Sequence, residues 1–214
     1  MVRNAPGGPL SHVFWIGGST FSGKTSVSEI LSKRCGLDLY HCDDRFRVHQ
    51  EASTPDRQPV MHLLSGKLAA DAFLLPPSLL LEGVKAMARE EFGMIVLDLE
   101  AVAESGSVIA EGAPLIPESV QKIPEAEGAA VWIVSGESFL RNRYESARSG
   151  MVRDVLNHYG DPERAFRNWM DRDVLFGKWI EENARSLGAP VITNDGVRPL
   201  QEIADEAASI LGLS

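Results

Sequence analysis

The chain is poor in cysteine, in positive charge and in long apolar runs. Two cysteines among 214 residues, Cys35 and Cys42, indicate reduced thiols rather than a disulfide framework. Acidic residues outnumber basic ones by 30 to 21, and the resulting net charge of −9 argues against non-specific nucleic-acid binding. No apolar run is long enough to cross a bilayer. We therefore expect neither a nucleic-acid nor a membrane partner, and a cytoplasmic protein.

The remaining composition is that of a globular protein. Hydrophobic residues make up 44% and charged residues 24% of the chain, which is ordinary for a packed domain. The length suits one α/β domain with an insertion, and we predict that domain over residues 12–214. Residues 1–11, MVRNAPGGPLS, are predicted to be a disordered tail.

The stretch GGSTFSGKTS at positions 17–26 predicts a phosphate-binding loop. Gly18 to Thr25 fits G-x-x-x-x-G-K-[ST] at every fixed position. Gly18 and Gly23 permit backbone angles that let the loop turn its N–H groups towards phosphate oxygens. Lys24 would reach the β- and γ-phosphates, and the Thr25 hydroxyl would bind Mg²⁺. The predicted nucleotide-binding residues here are Gly18, Ser19, Thr20, Phe21, Ser22, Gly23, Lys24, Thr25 and Ser26.

The context of this loop is the one that a phosphate site requires. An apolar run precedes it, and Val27, Ile30 and Leu31 follow at helical spacing, with Gly36 as the expected C-terminal cap. The helix that follows would point its positive end at a bound anion. The alternative, a structural glycine turn, does not explain the Lys-Thr pair.

Alternating strand and helix patterns predict a three-layer, doubly wound parallel sheet. Residues 52–106 read mostly as helix, more than one crossover needs, and predict a helical substrate-binding insertion. Residues 136–187 are also helical and rich in arginine, and Asp161 followed by Pro162 is typical of a helix start. The predicted strands are Val13–Ile16, Leu37–His41, Ser107–Glu111, Ala130–Ser135 and Pro190–Thr193.

Acidic residues follow the second and third predicted strands, at the sheet edge where such folds bind ligands. Asp43 or Asp44 could accept a proton from an attacking hydroxyl, and we favour Asp43 because it leaves the strand first. The other could position a substrate or hold a Mg²⁺-bound water, or one could be a helix cap. Glu111 could bind Mg²⁺ through water or orient the substrate, unless it serves in a cap or an ion pair. Gly112 would let the chain leave the strand close to a ligand.

Two arginines, Arg45 and Arg47, follow the aspartates. They could bind an anionic group of a substrate, or they could be surface charges. The guanine-specific N-K-x-D pattern is absent, and TNDG stands at the corresponding late-strand position, which argues against a switch GTPase.

Four segments together resemble the phosphate-loop small-molecule kinases. LYHCDDRFR resembles the strand-end acidic motif of uridine kinases and nicotinamide riboside kinases, and VIAEGAPLIP resembles their third strand and that of 2-phosphoglycerate kinase. SGESFLRNRYESAR resembles the arginine-bearing start of the lid in the adenylate kinase group, and this likeness implies that residues 136–187 form a helical lid region. VITNDGVRPLQEIADEAASIL resembles the last strand, loop and helix of many such kinases.

This resemblance implies a phosphate-loop nucleoside triphosphate hydrolase fold with strand order 2-3-1-4-5, and ATP and Mg²⁺ as cofactors. It implies transfer of the γ-phosphate to a hydroxyl of a small molecule, such as a nucleoside, a sugar-bearing metabolite or a phosphorylated acid. The alternative is a nucleotide-binding regulator or ATPase without such an acceptor. The resemblance makes Lys24, Asp43 or Asp44, and the lid arginines Arg143 and Arg148 catalytic. It places Asn194, Asp195 and Gly196 beside the adenine, and Thr25, Asp43 and Glu111 at the metal.

Overall fold

The computed structural model describes residues 8–65, 72–102 and 106–213, which are built around a five-stranded parallel sheet. The strand order is β2-β3-β1-β4-β5, which confirms the predicted order, and every pairing is parallel. All five predicted strands are present, with ends shifted by at most two residues. The strands are β1 (Val13–Gly18), β2 (Asp38–His41), β3 (Val108–Glu111), β4 (Ala130–Ser135) and β5 (Val191–Asn194).

Helices connect consecutive strands, as a parallel sheet requires. Short 3₁₀ segments lie at Ala72–Leu74 and Pro124–Ala126, and a π-helical segment, Val152–Leu156, follows the sixth helix. None of the described helices combines the length and the low charge needed to span a membrane. The α-helices are α1 (Lys24–Cys35), α2 (Cys42–Ala52), α3 (Pro59–Ser65), α4 (Pro77–Ala101), α5 (Pro117–Val120), α6 (Glu137–Met151), α7 (Pro162–Ser186) and α8 (Leu200–Leu211).

Both faces of the sheet are covered, which is why β1 is apolar and buried along its whole length. Because successive strand residues point to opposite faces, Trp15 packs against Phe92 of α4 while Phe14 and Ile16 pack on the other side. The first face is covered by α4, α5 and α7, and the second by α1 and α8. This arrangement is the predicted three-layer, doubly wound fold.

Local signals set two of the helix ends. Gly36 follows α1 in the left-handed conformation, with φ of 67°, and its N–H bonds to the Ser32 carbonyl. At the start of α7, the Asp161 side chain accepts a hydrogen bond from the Arg164 N–H, and Pro162 occupies the first helical position.

Part of the predicted insertion belongs to the body of the fold. Within residues 52–106, helix α4 places Phe92, Ile95 and Leu99 in the core beneath the sheet. It is therefore the crossover helix between β2 and β3. The additional helical structure described in this segment consists of α3 and the 3₁₀ segment Ala72–Leu74.

The predicted lid region divides in the same way. Within residues 136–187, the second half of α7 places Phe176, Ile180 and Ala184 in the same core as α4. A separate cluster joins α6, the π-helical segment and the first half of α7. The lid role of this second group stays a prediction.

The predicted N-terminal tail is partly described. Residues 1–7 lie outside the described part of the chain. Residues 8–11 form a turn that leads into β1, in contrast to the expected disorder. Leu10 is buried there, and its carbonyl accepts a hydrogen bond from the Val13 N–H at 3.1 Å.

Candidate functional site

A cavity of about 670 Å³ lies at the carboxyl edge of the sheet. The phosphate loop forms its floor, the start of α2 and the segment after β3 contribute one side, and α6 and the segment after β5 contribute another. The lining residues are Thr20, Phe21, Ser22, Gly23, Lys24, Thr25, Ser26, Asp43, Ala113, Phe139, Arg143, Asn194, Gly196, Arg198 and Leu200.

The phosphate loop is fixed by the neighbouring strand ends. The Ser135 N–H donates to Ser19 Oγ at 2.8 Å, and the Ser135 hydroxyl donates to the Thr20 carbonyl at 2.7 Å. From β5, the Asn194 side-chain amide donates to the Ser22 carbonyl at 3.0 Å. These bonds hold the loop before any anion arrives, which reduces the ordering cost of binding.

Lys24 lies where a phosphate would replace its present partner. Its ammonium donates to the Ser19 carbonyl at 2.8 Å. Burial lowers the pKa of Lys24, while the nearby carboxylates of Glu111 and Asp43 act in the opposite direction. Because charge-assisted bonds are stronger than bonds to neutral carbonyls, an incoming phosphate oxygen would be the better partner.

Thr25 and Glu111 form an oxygen pair that suits Mg²⁺. The Thr25 hydroxyl donates to Glu111 Oε1 at 3.2 Å, and Glu111 is buried at the end of β3. In the described ranges, no three His, Cys, Asp or Glu side chains are arranged to hold a metal alone. Mg²⁺ is typically held by one or two protein oxygens together with substrate phosphates and water, so the pair fits this ion.

His41 is a residue of this site that sequence patterns did not identify. Its Nδ1 lies 2.8 Å from the same Glu111 oxygen, so Nδ1 carries a proton and donates a hydrogen bond to the carboxylate. His41 ends β2 and pairs in register with Glu111 of β3. The sequence signal that could have identified His41 was its position at the end of the second predicted strand.

The two aspartates occupy the same helical turn but different environments. Asp43 and Asp44 lie in the first turn of α2, where the helix dipole stabilises carboxylates. Both residues are exposed to solvent, but Asp43 lines the cavity and Asp44 does not. Among the two, the structure brings Asp43 to the phosphate loop.

Gly112 makes the approach of α2 to the sheet edge possible. A Cβ atom at this position would lie 2.5 Å from the Cys42 Cβ, a distance that real structures do not show. Gly112 was predicted to let the chain leave the strand close to a ligand; in the structure it packs against Cys42, and its neighbour Ala113 lines the cavity.

Of the two predicted lid arginines, only Arg143 lines the cavity. Its guanidinium carbon lies 5.8 Å from the centre of the Phe21 ring. Arg148 instead pairs with Glu145 at 3.1 Å and with Glu163, at a separate surface recess. The structure therefore does not bring Arg148 to the phosphate loop.

The predicted substrate-binding arginines of α2 face elsewhere. Arg45 donates to Asp98 of α4 at 2.9 Å. Arg47 pairs with Glu51 one turn later, and its side chain is 85% exposed. Neither lines the cavity, and Arg47 is a surface charge.

The segment after β5 divides between lining and turn residues. Asn194 and Gly196 line the cavity, and the Gly196 N–H donates to the Asn194 side-chain oxygen at 3.0 Å. Asp195 is exposed and accepts from the Val197 N–H at 2.9 Å. Asp195 itself does not line the cavity.

Phe139 lines the cavity and was missed by sequence patterns. It lies four residues before Arg143 on α6, so both project from one face of the helix. A Cβ atom on Gly196 would lie 2.4 Å from the Phe139 ring, which places the ring against the turn after β5. No sequence pattern pointed to Ala113, Arg198 or Leu200.

Phe21 connects the phosphate loop to α6. Its φ is 56°, and it is the one residue other than glycine with positive φ in the described chain. Its ring meets that of Tyr144 edge to face, with centroids 5.1 Å apart. The Tyr144 hydroxyl in turn donates to buried Asp173 of α7, whose carboxylate interacts with Lys24.

Comparisons with known proteins give only distant likenesses. No protein-family model and no curated protein sequence matches the chain. Among solved structures, a gluconokinase from Sinorhizobium meliloti 1021 is 19% identical, with a TM-score of 0.45 over 98% of this chain and 94% of that one. A shikimate kinase from Acinetobacter baumannii in complex with shikimate is 14% identical, with a TM-score of 0.49 over 94% and 93%. A shikimate kinase from Aquifex aeolicus vf5 is 17% identical, with a TM-score of 0.40 over 94% and 96%. Likeness at these levels does not assign an activity.

Proposed function

We propose that this chain is an ATP-dependent phosphotransferase that moves the γ-phosphate to a hydroxyl group of a small molecule. The observation that carries this proposal is the placement of Asp43 in the cavity of the phosphate loop. A site that only holds nucleotide needs the loop, Lys24 and Thr25. A carboxylate aimed from α2 into the same cavity is what the activation of an acceptor requires.

Each lining group has a role that follows from its chemistry. The acceptor oxygen attacks the γ-phosphorus, the bond to the β–γ bridging oxygen breaks, ADP leaves, and Asp43 takes the acceptor proton. The loop amides, Lys24 and Arg143 stabilise the negative charge on the transferred group, because phosphoryl transfer depends mainly on positioning and charge neutralisation. Mg²⁺, held by Thr25 and by Glu111 through water, would neutralise further phosphate charge.

The acceptor that we favour is a hydroxyl-bearing metabolite such as a nucleoside, a sugar-bearing compound or a phosphorylated acid. The strand-end segment LYHCDDRFR, with its resemblance to uridine and nicotinamide riboside kinases, supports the first two. Arg143 supports an anionic acceptor, since its cationic side chain lines the cavity.

The test is ADP release with ATP and Mg²⁺ across pools of nucleosides, sugars, phosphorylated acids and hydroxylated antibiotics. Lys24→Ala and Asp43→Asn should lose acceptor-stimulated turnover, the latter by roughly 10²- to 10⁴-fold, while retaining the fold. Asp44→Asn is the matched control, because it makes the same change at an exposed position of the same helical turn. Arg143→Ala and Arg148→Ala form a second pair, in which only the first should lower turnover.

Two outcomes would contradict the proposal. ATP binding without stimulation by any pool would identify a nucleotide-binding regulator. Near-normal turnover in Lys24→Ala or Asp43→Asn would rule out the mechanism given above.

A further inference from the structure

A buried histidine joins α2 to α4 through two carboxylates. His49 is 3% exposed; its Nδ1 lies 3.1 Å from Glu91 Oε1, and its Nε2 lies 3.2 Å from Asp98 Oδ2. Tyr40 and Arg45 also donate to Asp98 Oδ2, at 2.8 and 2.9 Å. We call these five residues, Tyr40, Arg45, His49, Glu91 and Asp98, the α2–α4 clamp.

The geometry of His49 requires an additional proton in the clamp. A neutral imidazole has one N–H and one lone pair, yet both ring nitrogens of His49 face carboxylate oxygens. The proton resides either on His49, as an imidazolium, or on Glu91, which is 1% exposed and whose pKa burial raises. Without this proton, one nitrogen lone pair would face a carboxylate in a buried site.

The charge state of Asp98 decides whether the additional proton lies near Nδ1 or near Nε2 of His49. Partial burial acts to raise the pKa of Asp98, but hydrogen bonds from Tyr40, Arg45 and His49 outweigh it and lower that pKa. Asp98 therefore stays ionised and takes an N–H from His49 Nε2. The titratable contact is the one between His49 Nδ1 and Glu91.

Two buried side chains anchor helix α2. Its buried side chains are Cys42, next to Asp43 at the N-terminal end, and His49, two turns later. The other titratable groups near the contact are Asp43, which interacts with Glu91, and the Cys42 thiol, which burial keeps neutral by raising its pKa. On the side of α3, His62 Nδ1 lies 3.0 Å from the Ser53 carbonyl oxygen.

We propose that His49 is a positioning residue: the proton that it shares with Glu91 holds α2 against α4 and so sets the place of Asp43 in the cavity. This inference rests on the proposed function of Asp43. Loss of the proton at rising pH weakens the contact, moves the first turn of α2 and lowers acceptor-stimulated turnover. A displacement of about 1 Å at a reacting group is enough to cost roughly 10²-fold in rate.

The discriminating variant is Glu91→Gln. The amide can donate an N–H to the lone pair of a neutral imidazole, so it keeps the bond without the titrating proton. In the wild type we expect kcat to fall at least about tenfold on the alkaline side; in Glu91→Gln this fall should be absent. Glu82→Gln, an exposed carboxylate on the same helix, is the matched control and should keep the fall. In His49→Gln both N–H donors lie on one nitrogen, which cannot replace two ring nitrogens that face different carboxylates. This variant should lower kcat at every pH with little change in KM for ATP.

Hydrogen exchange of the α2 backbone amides, measured without nucleotide, tests the same contact independently of activity. We expect protection in the wild type to decrease towards alkaline pH, and to remain constant in Glu91→Gln. If no acceptor stimulates the wild type, the proposed function fails while this measurement still decides the role of His49. Constant protection in the wild type, or an unchanged alkaline fall in Glu91→Gln, would overturn the inference.

Discussion

Lys24 occupies its position at a cost to folding. Burial lowers its pKa, which means that the folded state disfavours the charged ammonium relative to the unfolded chain. The folded pKa lies below the unfolded value, so the penalty is complete below the folded pKa and fades as pH rises towards the unfolded value of about 10.4. Binding of an anion would offset this penalty.

We therefore expect Lys24→Met to unfold at a higher temperature than the wild type near neutral pH. Methionine fills a similar volume without a buried charge. The difference should narrow as pH approaches about 10, and ATP should no longer raise the midpoint of the variant. Thermal unfolding over a pH series, with and without ATP and Mg²⁺, measures both effects. A lower midpoint near neutral pH would mean that the bond to Ser19 outweighs desolvation.

At the level of secondary-structure elements, the position of the first turn of α2 against the end of β3 depends on the close contact between Gly112 and Cys42. An added methyl group would force the end of β3 and the start of α2 apart, because the nearest atom is the Cys42 Cβ rather than a flexible side-chain end. This contact is what allows Asp43 to reach the cavity edge.

Gly112→Ala should lower the free energy of unfolding by about 1–3 kcal/mol, as overpacked sites do. It should also reduce turnover through Asp43. Gly83→Ala makes the same substitution within α4, where nothing lies within 4 Å of the new atom. That control should raise the free energy of unfolding by about 0.5–1 kcal/mol, because alanine favours the helix. Urea denaturation measures the free energy of unfolding of both variants. A change in the same direction in Gly112→Ala and Gly83→Ala would contradict the role given to Gly112.

The elements that could be predicted from sequence are those set by local patterns. The phosphate loop, the five strands and the caps Gly36 and Asp161 depend on residues within a few positions of one another. The roles of α4 and α7 could not be predicted in full. An amphipathic pattern indicates that a helix has an apolar face, but it does not indicate whether that face meets the sheet or a lid.

The arginines illustrate the same limit at the site. Arg148 pairs with Glu163 across α6 and α7, and Arg45 pairs with Asp98, 53 positions away. Each partner is brought close only by tertiary packing, so local spacing could not separate these ion pairs from Arg143. His41 and Phe139 were missed because histidine at a strand end and phenylalanine on a helix fit a structural role equally well.

Across the whole molecule, Asp98 joins β2, α2 and α4 through Tyr40, Arg45 and His49. Its folded pKa is lowered below the unfolded value. The corresponding stability is therefore present above the unfolded pKa of about 3.9 and is lost as pH falls through the folded pKa.

Asp98→Asn should accordingly unfold more easily than the wild type at neutral pH, because Arg45 and His49 lose their charged acceptor. The difference should shrink as pH falls below about 4, where the wild-type carboxylate also becomes neutral. Glu100→Gln, an exposed change near the end of the same helix, is the control and should leave the neutral-pH midpoint unchanged. A difference that stays constant down to acidic pH would assign the effect of Asp98→Asn to packing.

The backbone of Phe21 has a consequence for kinetics. A left-handed conformation costs a residue with a side chain roughly 1–2 kcal/mol, and here the ring contact with Tyr144 helps to hold it. If α6 opened as a lid, the loop would lose that support in the same step. Opening of α6 and relaxation of the loop then form one event, so nucleotide dissociation should follow a single exponential rather than two separable phases.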